Sequence, residues 1–301
     1  MNKPTHYPEL QKHYKQWLKT LGFSESTVYS YPKMIYYFLE YLDEKGVCSI
    51  TQMTNSHIDD YFNHLQIRKS MRGEKALSID HLNKSFDAVD KFLEFLNQMD
   101  CDVPPPTNYR ILQTKAEQMQ KIKALSKDEI QTIYHSVPKL FSGLPFKEIE
   151  PRQALATLIL DLCYGCGLRK SEVYNLLIED IDLDKKILFV RQAKGYKDRY
   201  VPMSEKINER VKMFIYQHRK AFQVTHKRLF PLYKESMYYY IKQLRTASGL
   251  GKDFALHSLR HSIATHLLQN GMTIEQIARF LGHSSLESTQ IYTHLINKDE
   301  Q

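Results

Sequence analysis

Six side chains in this sequence have the types needed to attack a phosphodiester. Arg169 and Arg260 can hold a phosphate, His257 and His283 can exchange protons, Lys194 can protonate a leaving oxygen, and Tyr292 can act as nucleophile. Four of them, His257, Arg260, His283 and Tyr292, fall within residues 255–295. A phenol is a weak nucleophile at neutral pH because its reference pKa is about 10. It needs neighbours that favour the phenolate or accept its proton. The chain has 20 tyrosines, and Tyr292 is set apart by its context, the string LGHSSLESTQIYTH that begins two residues before His283. Charge that builds on non-bridging phosphate oxygens is matched by guanidinium groups, which offer paired donors and stay charged. Two of them can replace a metal ion electrostatically, and no acidic metal cluster accompanies them in the sequence.

The remaining assignments follow from spacing. His257 precedes Arg260 by three residues, which places both on one helix face. An imidazole exchanges protons near neutral pH. His257 is assigned to proton transfer with Tyr292 or to a phosphate oxygen, and His283 to a hydrogen bond with a phosphate oxygen or with the tyrosine. Lys194 lies in the turn between two β-like runs, where it can reach a DNA groove and protonate the leaving 5′ oxygen. Lys197 competes for that role, and both can touch phosphate. Glu172 is an acid inside a basic group. It cannot hold a catalytic metal alone, and it either orients Arg169 or Lys194 or is a plain helix-surface glutamate. His261 and His266 have no motif role and read as packing or surface residues, and Tyr174 and Tyr196 as structural ones.

These groups need a scaffold. A chain of 301 residues with 42% hydrophobic residues should make about two domains. In the first hundred residues, helical spacing predicts four amphipathic helices in a small bundle. Gly22 and Gly46 stop the first two, and Ser24, Thr54 and Ser78 stand near the starts of the next three. The run Cys101-Asp-Val-Pro-Pro-Pro106 cannot continue a helix. It opens a basic linker over residues 101–123, between a helical domain at 1–100 and a second domain at 124–301. In the second domain, Ser126 and Glu129 form a capping box, residues 152–164 form an apolar helix, and 165–167 break it. Residues 187–191 and 199–202 are β-like and flank a turn; helices follow from about Ser204. The expected class is mainly α with a small β-sheet or hairpin.

Net charge is +8, and residues 1–100 hold 12 basic against 13 acidic side chains, so the excess lies with the motifs. That favours a polyanionic partner. Lys197 and Arg199 in the second domain, and Arg68, Lys69 and Arg72 in the first, are the expected DNA contacts. Four scattered cysteines make no disulfide framework. Cys163 and Cys166 read as buried thiols, since zinc would need two further ligands. No apolar run approaches the length of a membrane span, so a cytoplasmic protein without membrane contact is expected. Neither a P-loop nor a GxGxxG string is present.

The strings Gly167-Leu-Arg169-Lys-Ser-Glu172, His257-Ser-Leu-Arg260 and the Tyr292 segment resemble, in type and order, those of the tyrosine recombinases of the phage-integrase and Xer type. Gln192-Ala-Lys194-Gly-Tyr-Lys197 resembles the family's lysine turn, with Ala193 where glycine is common. The resemblance implies a two-domain DNA clamp, a helical core-binding domain and a catalytic domain. It implies attack by Tyr292 on the scissile phosphate, giving a 3′-phosphotyrosine and a free 5′-hydroxyl, with no cofactor, no metal and no ATP. It also implies a homotetramer on a double-stranded recombination site, with an accessory protein or second recombinase as a further partner. The outcome would be integration, excision or inversion of a DNA element, or dimer resolution. The residues after Tyr292 are few for an exchanged C-terminal helix, so assembly is expected to use other surfaces. Three rivals compete with this reading. A transcription factor could use residues 272–295 as a helix-turn-helix, but this leaves the two arginine motifs unexplained. A zinc hydrolase lacks an HExxH string. A relaxing topoisomerase would share the tyrosine chemistry.

Overall fold

The computed structural model describes residues 7–69, 76–112, 124–191 and 198–282. The chain divides into two compact units, Met1–Lys115 and Ala116–Gln301.

In the first unit the expected helices are α1 (Tyr7–Thr20), α2 (Glu25–Glu44), α3 (Asn55–Ile67) and α4 (Ile79–Gln98). The Ser24 and Ser78 hydroxyls accept from the amides of Thr27 and His81 and so satisfy donors that a helix start leaves open. The apolar faces meet in an aromatic core around Tyr14, Phe38, Phe86 and Phe92. Each such ring contributes about 2–3 kcal/mol by leaving water. Residues 101–112, expected as linker, are fixed along α4. Asp90 accepts from the Thr107 amide and hydroxyl and from the Asn108 amide at 2.7–3.0 Å, and Asn83 exchanges two hydrogen bonds with the Ile111 backbone. The prolines lie outside any helix or strand and lack the amide donors that a helix would need.

In the second unit α5 (Lys127–Ser136) starts with the expected capping box. α6 (Phe146–Leu160) begins earlier than the expected residue 152. Pro151 sits near its start and gives up one backbone bond there, while Leu155, Ala156, Leu158, Ile159 and Leu160 are buried downstream. The helix then widens into a π-turn, Asp161–Gly165. α7 (Lys170–Asn175) leads to a three-stranded antiparallel sheet of β1 (Ile181–Asp182), β2 (Ile187–Val190) and β3 (Arg199–Pro202), in that order, with Val190 opposite Arg199. α8 (Glu205–Met213), α9 (Ser236–Ser248), α10 (Leu256–Gln269) and α11 (Ile274–Leu281) complete the described α-helices. The core gathers side chains from α5, α6, the sheet, α9 and α10. Cys163 and Cys166 are fully buried in it, and burial pushes the Cys163 thiol up to about 12. Among the described residues, no helix is long and apolar enough to cross a membrane.

Candidate active site

The site begins at the π-turn. The Cys166 amide donates to the Asp161 carbonyl and the Leu168 amide to the Leu162 carbonyl, both at 2.8 Å. Gly167 then takes a left-handed conformation, φ +61°. A Cβ there would lie 2.8 Å from Leu281 Cδ2 and 3.0 Å from Phe280 Cε1, so only glycine lets this loop touch the end of α11. The turn delivers Arg169 to the N-cap of α7, one turn before Glu172.

Glu172 is the hub. Its side chain is 7% exposed. It accepts from the Arg169 amide (2.8 Å), from Arg169 Nη1 (2.8 Å) and from Arg199 Nη1 and Nη2 (3.1 and 2.9 Å), and Arg260 Nη1 lies 3.7 Å away. Burial alone would raise its pKa. The hydrogen bonds and charge of Arg199, then the backbone and side-chain bonds of Arg169, outweigh burial and hold the carboxyl at about 2. Glu172 is therefore a fixed negative charge, and three guanidinium groups converge on it.

The same arginines grip the end of α11. Arg199 Nε donates to the Phe280 carbonyl (3.0 Å), Arg260 Nη2 to the Leu281 carbonyl (2.6 Å) and Arg169 Nη2 to the Gly282 carbonyl (3.2 Å). Arg260 Nη1 also donates to the Gly167 carbonyl. Carbonyls at a helix C-terminus lack helical partners and carry partial negative charge, so cations belong there. Gly282, at φ +66°, ends the helix in left-handed form.

His257, in the first turn of α10, is exposed, whereas Arg260 on the same helix is 2% exposed. Partial burial, then the charges of Arg260 and Arg169, lower the pKa of His257. Both effects favour the neutral imidazole over the charged one. The His261 ring lies 4.6 Å from it, edge to face, and burial followed by His257 and Arg260 pushes His261 down to about 4. His266 is buried, with Nδ1 3.0 Å from the Tyr164 hydroxyl.

Of the expected site residues, Arg169, Glu172, Arg260 and His257 are brought together. Lys194, Lys197, His283, Tyr292 and Arg72 lie outside the described residues. Arg68 and Lys69, with Lys33, Tyr37 and His81, line an open cavity of about 530 Å³ in the first unit. Arg199 is expected on DNA, yet its side chain is 8% exposed and hydrogen-bonds, among the described residues, to Glu172 and Phe280. Strand parity was the available signal: Arg199 and Val201 face inward, Tyr200 and Pro202 outward.

Residues 123–299 match the phage integrase family model. A tyrosine recombinase XerD from Corynebacterium glutamicum is 28% identical over 93% of this chain and 92% of its own length. A tyrosine recombinase XerA from Thermococcus kodakarensis is 34% identical over 57% of each chain. Among solved structures, the XerH site-specific recombinase bound to its difH substrate in a pre-cleavage complex superposes with TM-score 0.68. It shares 19% identity, over 98% of this chain and 83% of that one. A lambda integrase dimer bound to a COC′ core site gives TM-score 0.66 at 16% identity, over 94% of both chains. At these identities the two structures establish a shared fold.

Proposed function

This chain belongs to the phage integrase family and is a site-specific tyrosine recombinase, and on that premise we propose that it cuts and rejoins a double-stranded recombination site through a 3′-phosphotyrosine on Tyr292. The observation that carries the reading is the convergence of Arg169, Arg199 and Arg260 on the buried Glu172 carboxylate. Three guanidinium charges around one carboxylate leave positive charge over for a phosphate.

In this reading, Arg169 and Arg260 turn donors toward the non-bridging oxygens and stabilise the pentavalent transition state. Glu172 orients them. The Tyr292 oxygen bonds to phosphorus as the bond to the 5′ oxygen breaks. The phenolic proton passes to neutral His257, and Lys194 supplies a proton to the departing 5′ oxygen, with Lys197 as the alternative donor. His283 bonds a phosphate oxygen or the tyrosine. Attack by a 5′-hydroxyl reverses each transfer and restores the phosphodiester. The phosphotyrosine conserves the bond energy, so neither ATP nor a metal enters the balance. Four copies assembled on DNA, in the cytoplasm, break strands in pairs. Lys197, Arg68, Lys69 and Arg72 contribute phosphate contacts, and an accessory protein or second recombinase completes some assemblies. The outcome is integration, excision, inversion or dimer resolution.

The test uses nicked suicide duplexes tiled across the DNA that flanks the chain's own coding sequence, with EDTA present. A denaturing gel should show a covalent protein–DNA adduct with wild type and none with Tyr292→Phe. An adduct of equal yield from Tyr292→Phe would refute the assignment. Firm, salt-sensitive binding with no adduct from either protein would favour a plain DNA-binding role or a recombinase that cuts only with a partner.

A further inference from the structure

We propose that Arg199 is a positioning residue for strand cleavage, one that locks the Glu172 carboxylate to the end of α11 and makes no contact with DNA. The inference rests on the reading of Tyr292 as nucleophile.

Arg199 opens β3, where alternation turns its side chain to the interior beside Val201. Its fork spans two elements at once. Nη1 and Nη2 take the two oxygens of Glu172 on α7, at 3.1 and 2.9 Å, and Nε takes the Phe280 carbonyl at 3.0 Å. The bidentate pair fixes the plane of the carboxylate. Arg169 Nη1 shares Oε1 with Arg199 Nη1, and Arg260 approaches Oε2. The direction in which Arg169 and Arg260 present their remaining donors is therefore set by a carboxylate that Arg199 has already oriented. The Nε bond acts at the other end. Phe280 stands three residues before His283, so the bond holds the point from which the chain departs toward His283 and Tyr292. Phosphate-binding arginines and nucleophile segment thus share one reference, a single guanidinium.

The side chain is 8% exposed, and its Nη1, Nη2 and Nε are already committed to the Glu172 carboxylate and the Phe280 carbonyl rather than to a DNA backbone. Lysine cannot substitute for it, because a compact ammonium on a flexible stem does not span two carboxylate oxygens and a carbonyl in one plane. A misplacement of about 1 Å at a reacting group costs roughly 100-fold in rate.

The experiment compares wild type, Arg199→Lys and Arg199→Gln on a nicked duplex that traps the wild-type adduct. Single-turnover rates are taken at saturating DNA, and affinity and its salt dependence are measured on the same duplex in a Tyr292→Phe background. Circular dichroism and the thermal midpoint identify folded variants, and either substitution suffices if the other does not fold. The expected result is a roughly 100-fold lower adduct rate at saturation, with affinity and salt slope as in wild type. A wild-type rate at saturating DNA overturns the proposal. So does weaker binding with a salt slope smaller by about one, the signature of a lost phosphate contact. A wild-type yield of adduct from Tyr292→Phe removes the nucleophile reading and overturns the inference with it, whatever the Arg199 rates, whereas a slow Arg199 variant beside an inert Tyr292→Phe supports both.

Discussion

Glu172 and Asp161 are both buried carboxylates on the same stretch of chain, and they behave in opposite ways. Asp161, at the first position of the π-turn, is fully buried. Its Oδ1 accepts from the Tyr134 hydroxyl (2.8 Å) and from Arg210 Nη2 (2.5 Å), and its Oδ2 has no hydrogen-bond partner among the described residues. Burial raises its pKa to about 6, and Arg210 and Tyr134 offset only part of that. Glu172 has donors on both oxygens from Arg199 and Arg169, with Arg260 beside them, and stays near 2. Burial is alike; the supply of donors decides the sign. One carboxylate becomes permanent charge that can organise cations for a phosphate. The other ties the π-turn to α5 and α8 and titrates close to neutrality.

Breaking the hub should have the largest effect. Glu172→Gln leaves Arg199 and Arg260 buried without their anion. It should lower the adduct rate at least about 100-fold and cost about 3–5 kcal/mol in urea unfolding at pH 7.5. The contribution of Glu172 is present above its ordinary pKa of 4.5 and is lost as pH falls through about 2, so this deficit should shrink on acidification across that window. Equal unfolding midpoints of mutant and wild type at pH 7.5 would contradict the hub.

Asp161→Asn sharpens the contrast through the opposite sign. A raised folded-state pKa stabilises the protein below the ordinary value of 3.8, and that stability is lost as pH rises through about 6. The advantage of wild type over Asp161→Asn should therefore shrink from pH 4 to pH 7, by about 2–3 kcal/mol in denaturant titrations. A gap that widens with pH would place Asp161 in the same class as Glu172.

Gly167→Ala tests the packing that joins the hub to α11. A left-handed alanine against Leu281 and Phe280 should cost about 2 kcal/mol and slow cleavage at saturating DNA. A neutral effect on both would show that the close approach is dispensable. The smallest effect belongs to an ion pair with solvent around it. Arg110 and Asp87 meet at 2.8 Å with Arg110 63% exposed. Arg110→Ala should change stability by less than about 1 kcal/mol, and by less still in high salt. A loss matching that of Glu172→Gln would break the rule that burial and donor number govern these pairs.

The helices of the first unit and the capping box at Ser126 could be read from the sequence because apolar period and cap chemistry are local signals. The strings around Arg169 and Arg260 likewise marked residues that the fold brings together. Long-range pairing left no such trace. The triple use of Glu172 joins α7, β3 and α10, and nothing local announces it. The π-turn adds one residue to a helical turn without altering the apolar run that hides it. The docking of residues 101–112 depends on Asp90 and Asn83, remote from the prolines that suggested a linker. Arg199, grouped with Lys194 and Lys197 in one basic string, reads as a DNA contact; only the parity with Val201 shows that its side chain points inward.

The central claim is that guanidinium charge anchored on Glu172 neutralises the scissile phosphate. The most direct measurement is the adduct rate of Arg169→Ala, the more exposed of the two arginines proposed to bind phosphate, on two nicked duplexes that differ at the scissile position. One carries the natural phosphate and the other an uncharged methylphosphonate. The expected result is a loss of about 100-fold or more relative to wild type on the phosphate and a far smaller loss on the methylphosphonate, where there is less charge to stabilise. An equal loss on both would contradict the claim and reduce Arg169 to a structural partner of Glu172.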